Sequence, residues 1–458
     1  MEQTEEIEEI KQDSQKSDML NGPMGKKLIL FALPIAASSI LQQLFNSADV
    51  AVAGRFAESG ALAAVGSNSV LVGLFINIFV GLSVGTNVII SQYIGQQRNK
   101  DVGKVVHTSM LFSVICGIAV MILGLIISKP LLIITHAPED VLDRAVVYLR
   151  IYFLGMPFII PYNFGSAILR SVGDTKRPMY CLRASGILNI ILNLIFVIAM
   201  RLGVAGVAIA TVISNILSAS VIFIILLREK GIIKLEIKNM KLYGKILLDI
   251  VKIGAPAALQ SAVFSLSNIC LQTAINDFGS SATGGMTAAL TFEYFGFYII
   301  SALNQSAITF VAQNYGAGKY GRCKKILRIC LLDSVIGTAL LCAFFVIFKE
   351  FLIRIYTVDP NEIEFARLRM TYVLPFLFLA SSYEITGSAL RGMGRSVIPA
   401  LLTVVGSVVF RLIWINLIFP IWNSFAGLII VYPVSWVLTG TMVVSYYFLV
   451  RKHVYSNF

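Results

Sequence analysis

LRSVGDTKRP at residues 169–178 returns as LRGMGRSVIP at residues 390–399: Leu169, Arg170, Gly173 and Pro178 are answered by Leu390, Arg391, Gly394 and Pro399. Working outward, Gln92 and Gly95 are answered by Gln313 and Gly316, and Pro34 by Pro256. The stretch from Leu33 to Pro178 therefore recurs about 221 residues later, from Ala255 to Pro399, with one single-residue slip. Both copies are almost wholly apolar.

Duplicated hydrophobic halves are a common build for membrane transport proteins. Composition points the same way, with 57% hydrophobic and 14% charged residues against roughly 25% charged in a soluble domain. Apolar runs long enough to cross a bilayer as helices predict twelve spans: 27–53, 61–92, 105–128, 146–169, 179–200, 204–227, 247–276, 284–313, 326–348, 371–390, 397–419 and 425–449. The net charge of +12 follows topology rather than nucleic acid. With these spans, 25 Lys and Arg are counted to one side of the membrane and 9 to the other, with Arg183, Lys252 and Arg411, inside or near spans, counted to neither. The basic excess marks the cytoplasmic face and places both termini there. Six spans per half is an even number, so the two repeats enter the membrane in the same orientation.

The expected organisation is a disordered acidic tail (1–25), a first lobe of six spans (26–228), a Lys-rich solvated linker (229–246), a second lobe (247–450) and a short tail (451–458). The six cysteines contain no C-x-x-C pair and read as small packing residues. His107, His136 and His453 are isolated, so no H-E-x-x-H metal site is present, and no G-x-x-x-x-G-K-[ST] phosphate loop occurs. Neither catalysis nor direct use of ATP is expected, and no cofactor is implied.

Acids inside spans are the informative residues, because each costs about 2.5–3.5 kcal/mol at mid-membrane on insertion scales. Asp49, Glu293, Asp333 and Glu384 qualify. Asp49 stands out: Gln42, Asn46 and Asp49 fall at i, i+4 and i+7 on one face of span 1. Pro34, fifteen residues earlier, removes a helical hydrogen bond and permits a hinge. Polar pairs that can face Asp49 are Asn189 with Asn193 on span 5 and Thr211 with Asn215 on span 6, and Asn163 lies on span 4. The acid is not duplicated, since its counterpart is Cys270 or Leu271. Glu293, Glu384 and Tyr152 complete the set of candidate cavity residues.

At these residues the chain resembles the multidrug and toxic compound extrusion (MATE) family. The resemblance rests on NSAD (46–49) running into Gly54-Arg55, ALAAVG (61–66), QYIG (92–95), LRSVGDT (169–175), QNYGAG (313–318) and LRGMG (390–394). It is closest in kind to bacterial, Gram-positive-type members. It implies an all-α membrane protein of two six-helix lobes arranged as a V, working by alternating access. It also implies export of organic cations in exchange for H⁺ or Na⁺. The coupling ion would sit at Asp49, Asn189, Asn193 and Thr211, and helix 1 would bend at Pro34. There are two departures. Asn193 stands where similar sequences often have Asp, and the helix-7 acid of some members falls near Phe264 and is absent. One carboxylate favours H⁺ over Na⁺.

The expectation is thus an antiporter in the cell membrane, surrounded by lipid, monomeric, and without nucleic-acid partners. The runner-up is a flippase for lipid-linked precursors, which needs several cationic residues in a central cavity. Only Arg183, Lys252 and Arg411 are available, and they read as snorkelling residues at span edges.

Overall fold

The computed structural model describes residues 19–56, 61–135 and 141–455. Most of the expected N-terminal tail, His136 and the last three residues lie outside them, as do the side chains of Arg55 and His453. Among the described residues there is no strand. Eleven helices are long and apolar enough to cross a membrane, and a bent pair supplies a twelfth span.

We number the spans α1 (Met24–Phe56), α2 (Ala61–Gly95), α3 (Asn99–Ile134), α4 (Leu142–Leu154 and Met156–Ser171), α5 (Lys176–Ala199), α6 (Gly203–Arg228), α7 (Gly244–Asn276), α8 (Ser280–Gly316), α9 (Tyr320–Ile347), α10 (Pro360–Gly392), α11 (Val397–Trp422) and α12 (Phe425–Lys452). Many exposed side chains on them are large and apolar, such as Ile126, Leu340 and Leu417. A helix surface of that kind is stable in lipid rather than water. The 49° bend in α4 falls at Gly155, two residues before Pro157, which has no N–H to continue the ladder.

The described residues divide into two compact units: those within Ala37–Ala258 together with 19–22, and those from Leu259 onward together with Pro23–Ala36. The division cuts both α1 and α7, two residues after Pro34 and Pro256. The start of α7 belongs to the first unit because glycines let it lie directly on α2. A Cβ on Gly85 would stand 2.1 Å from the Ile250 carbonyl oxygen, one on Gly81 2.7 Å from the Ala258 Cα, and one on Gly254 2.4 Å from the Leu82 oxygen. Small residues at i and i+4 are what membrane helices use for such close crossings. The start of α1 belongs to the second unit, where Phe31 packs edge-on against Phe310 at 5.5 Å.

The linker was expected to be simply solvated; it is docked. Ile233 and Leu235 are buried. The Glu236 backbone N–H donates to His107 Nε2 at 3.0 Å, the Tyr243 N–H to Thr108 Oγ1 at 3.3 Å, and Arg177 pairs with Glu229 at 2.7 Å. Its lysines stay exposed.

Candidate functional site

Glycine positions the central acid. Gly186 on α5 lies under the ring of Phe45 on α1, and a Cβ there would be 1.8 Å from a ring carbon. The two helices can therefore approach closely. Asp49 is one turn beyond Phe45, and Asn193 is two turns beyond Gly186.

The four side chains Asp49, Asn189, Asn193 and Thr211 form one hydrogen-bonded cluster inside the first unit. Asn193 Nδ2 donates to Asp49 Oδ1 in a short contact and to Asn189 Oδ1 at 3.3 Å. Asn189 Nδ2 reaches Thr211 Oγ1 at 3.4 Å. Thr211 has one hydroxyl proton and two acceptors within reach, the Val207 carbonyl at 2.9 Å and Asp49 Oδ2 at 3.4 Å. The shorter contact holds the proton better, so Asp49 has one firm donor. A carboxylate offers about four acceptor positions, and no ion pair reaches Asp49 among the described residues. Asn193 is fully buried, and its Oδ1 has no hydrogen-bond partner.

The site is therefore rich in unsatisfied oxygen acceptors and poor in donors. Such a set accommodates a proton or a monovalent hard cation. Among the described residues, no three His, Cys, Asp or Glu converge as a metal site. Immediately after Asn193, α5 widens into a π-helical stretch, Leu194–Ala199, with Met200 N–H bonding the Ile195 oxygen at 2.9 Å. π-turns in membrane helices often mark functional positions.

The other candidates divide. Tyr152 is buried, stacks on Tyr148 at 6.2 Å, and both lie in the field of Asp49. Gln42 and Asn46 are exposed on α1, outside the hydrogen-bonded cluster. Asn163 Nδ2 is spent on the Ile159 carbonyl of its own helix at 3.0 Å.

In the second unit, Glu384 Oε2 accepts from Asn304 Nδ2 at 2.8 Å, and Asn304 Oδ1 accepts a short bond from Ser388. Glu293 is clamped by Arg369 through two bonds of 2.5 and 2.8 Å. The sequence does not reveal that pair, because a tenth span starting at residue 371 leaves Arg369 outside the membrane. α10 instead begins at Pro360, behind an Asp359 cap, and carries Arg369 to 1% exposure. Of the three cations near spans, Arg183 and Lys252 are exposed as expected for edge residues, but Arg411 does not snorkel: it is 1% exposed.

The sequence relatives agree with the architecture. The chain is 27% identical over 388 residues to the probable multidrug resistance protein YoeA of Bacillus subtilis, covering 83% of each chain. It is 26% identical over 362 residues to the multidrug export protein MepA of Staphylococcus aureus, covering 78% of this chain and 79% of that one. The fold superimposes on a crystal structure of MATE in the straight conformation with a TM-score of 0.87 at 22% identity, covering 96% and 99% of the two chains. The MatE family model matches residues 34–195 and again 256–416, the two halves found by the internal repeat. With both copies matched over most of its length, this chain belongs to the MatE family of multidrug efflux transporters.

Proposed function

We propose that this transporter exports organic cations by antiport, with H⁺ as the coupling ion and Na⁺ as the alternative, and that Asp49 carries the ion. The observation that supports this most is the Asp49 carboxylate held by a single firm donor beside the unpartnered Asn193 Oδ1. An amide turned with Nδ2 toward Asp49 matches an ionised acid. When a proton or Na⁺ arrives, the charge is cancelled and the donor is no longer needed, so the amide can present its oxygen instead. Ion binding thereby becomes a change in the contact between α1 and α5. Pro34, buried in α1 two residues before the unit division, is the position at which the helix would bend in response. The lysine and arginine distribution supports a topology with both termini facing the cytoplasm.

Transport in proteoliposomes with an imposed pH or Na⁺ gradient tests this. Asp49→Asn should lose gradient-driven export while keeping its fold and its melting temperature in detergent. Wild-type transport by that variant would refute the assignment. Glu384→Gln, acting in the other unit, should retain coupling.

A further inference from the structure

We propose that Arg411 and Asn268, in the second unit, form a binding site for a carboxylate group. Arg411 is 1% exposed and lies in the membrane-spanning α11. Its Nε donates to Ser435 Oγ at 3.1 Å and its Nη1 to Asn268 Oδ1 at 3.3 Å, while Nη2 is buried without any partner. Two ring faces flank the guanidinium, Tyr432 at 4.7 Å and Phe264 at 5.1 Å. A second cation shares the Tyr432 ring, since Arg369 lies 4.5 Å from its centroid. Arg369 is neutralised by Glu293. Among the described residues Arg411 has no acidic partner, so this group of two arginines and one glutamate carries a net positive charge in the membrane.

Ring faces and two neutral side chains do not replace the water that a buried cation gives up. A bound anion does. The free edge of the guanidinium, Nη2 with the remaining Nη1 hydrogen, is a planar fork that matches a carboxylate better than a spherical ion. Asn268 supplies the approach. It is exposed, and while its Oδ1 accepts from Arg411, its Nδ2 is left to donate to the same guest.

The internal repeat gives an independent reason to regard this as a site. The offset that pairs Pro34 with Pro256 pairs Asn46, one turn before Asp49, with Asn268. The offset that pairs Pro178 with Pro399 places Arg411 opposite Ile190, between the site residues Asn189 and Asn193. In the first unit a helix-1 acid meets helix-5 amides; in the second a helix-7 amide meets a helix-11 cation. Helix 11 also carries π-helical stretches on either side of Arg411, Val404–Val409 and Trp414–Ile418, as α5 does beside Asn193. The same pair of helices thus holds an acid with amides in one unit and a cation with an amide in the other, at neighbouring positions of the repeat. This inference does not depend on antiport through Asp49.

The probe is benzoate, with benzamide as its uncharged match and chloride as the inorganic anion, at constant ionic strength. The readout is the melting temperature of the purified full chain in detergent. Benzoate should raise it in a concentration-dependent way, benzamide should not, and Arg411→Gln should abolish the response. Because that variant removes a buried group and can fail to fold, Asn268→Asp is the second arm. A fixed carboxylate beside Arg411 should raise the melting temperature without ligand and remove the benzoate response. Equal responses to benzoate and benzamide, an undiminished benzoate response in Asn268→Asp, or stabilisation by chloride equal to that by benzoate would each overturn the assignment.

Discussion

Replacing Glu293 by Gln isolates a buried ion pair of the second unit. The carboxylate accepts from Arg369 at 2.5 and 2.8 Å, with the two side chains 4% and 1% exposed. Each charge-assisted bond contributes about 1.5–3 kcal/mol, and a neutral amide can keep at most one. The larger loss is that Arg369 becomes a buried cation with no counter-charge, sharing the Tyr432 ring with Arg411 at 4.5 and 4.7 Å. Breaking one side of a buried ion pair typically costs about 3–5 kcal/mol, and the second guanidinium places this case at the upper end. Removing both partners, as Glu293→Gln with Arg369→Met, eliminates the stranded charge and should recover most of that loss. Reversible unfolding in mixed micelles, followed by tryptophan fluorescence, measures both variants. If Glu293→Gln unfolds within about 1 kcal/mol of wild type, or if the double variant is no more stable than the single one, the reasoning is wrong. A Glu293 that binds a coupling ion would give the opposite pattern: an intact fold with lost gradient response.

Three further outcomes are expected. Asn193→Asp should place a second carboxylate beside Asp49 and increase the Na⁺ dependence of transport, read in proteoliposomes as stimulation by an imposed Na⁺ gradient. Gly186→Ala should push the Phe45 ring off α5, separating Asp49 from Asn193 and reducing export. Phe45→Ala in the same chain should restore part of it, and an unaffected single variant would show that the close approach is dispensable. Gly85→Ala should destabilise the first unit by about 1–3 kcal/mol, because its Cβ would meet the Ile250 carbonyl, a backbone atom that cannot turn aside; a melting curve in detergent checks it.

Twelve spans were readable because a bilayer demands long apolar runs, and the Asp49 cluster because polar residues at i and i+4 are conspicuous in apolar helices. What was not readable depended on partners distant in sequence. Arg369 sits in a run with Glu362, Glu364 and Arg367, which reads as an outer loop until Glu293, 76 residues away, is placed beside it. The reassignment of the starts of α1 and α7 between the units is a packing result. For α7 the signal is present in the sequence: Gly81 and Gly85 are spaced as G-x-x-x-G, and Gly254 and Ala258 repeat that small-residue spacing. Apolar periodicity alone gives no weight to such residues, because glycine acts by what it leaves room for.

The duplication itself explains why the two units need not do the same thing. A repeated bundle keeps its helix crossings because they rest on shape, such as the glycines and prolines shared by the two halves. A buried charge is different, since a single substitution replaces an acid by an apolar residue and another can introduce a base one helix away. On the corresponding helices, at neighbouring rather than identical positions of the repeat, this chain has Asp49 with amides in one unit and Arg411 with an amide in the other. Neither charge is neutralised by an acid or base of its own unit among the described residues, although Glu293 and Arg369 show that the fold can build a closed pair. Charges left open at the cost of stability are the ones available to a ligand, and here they have opposite signs.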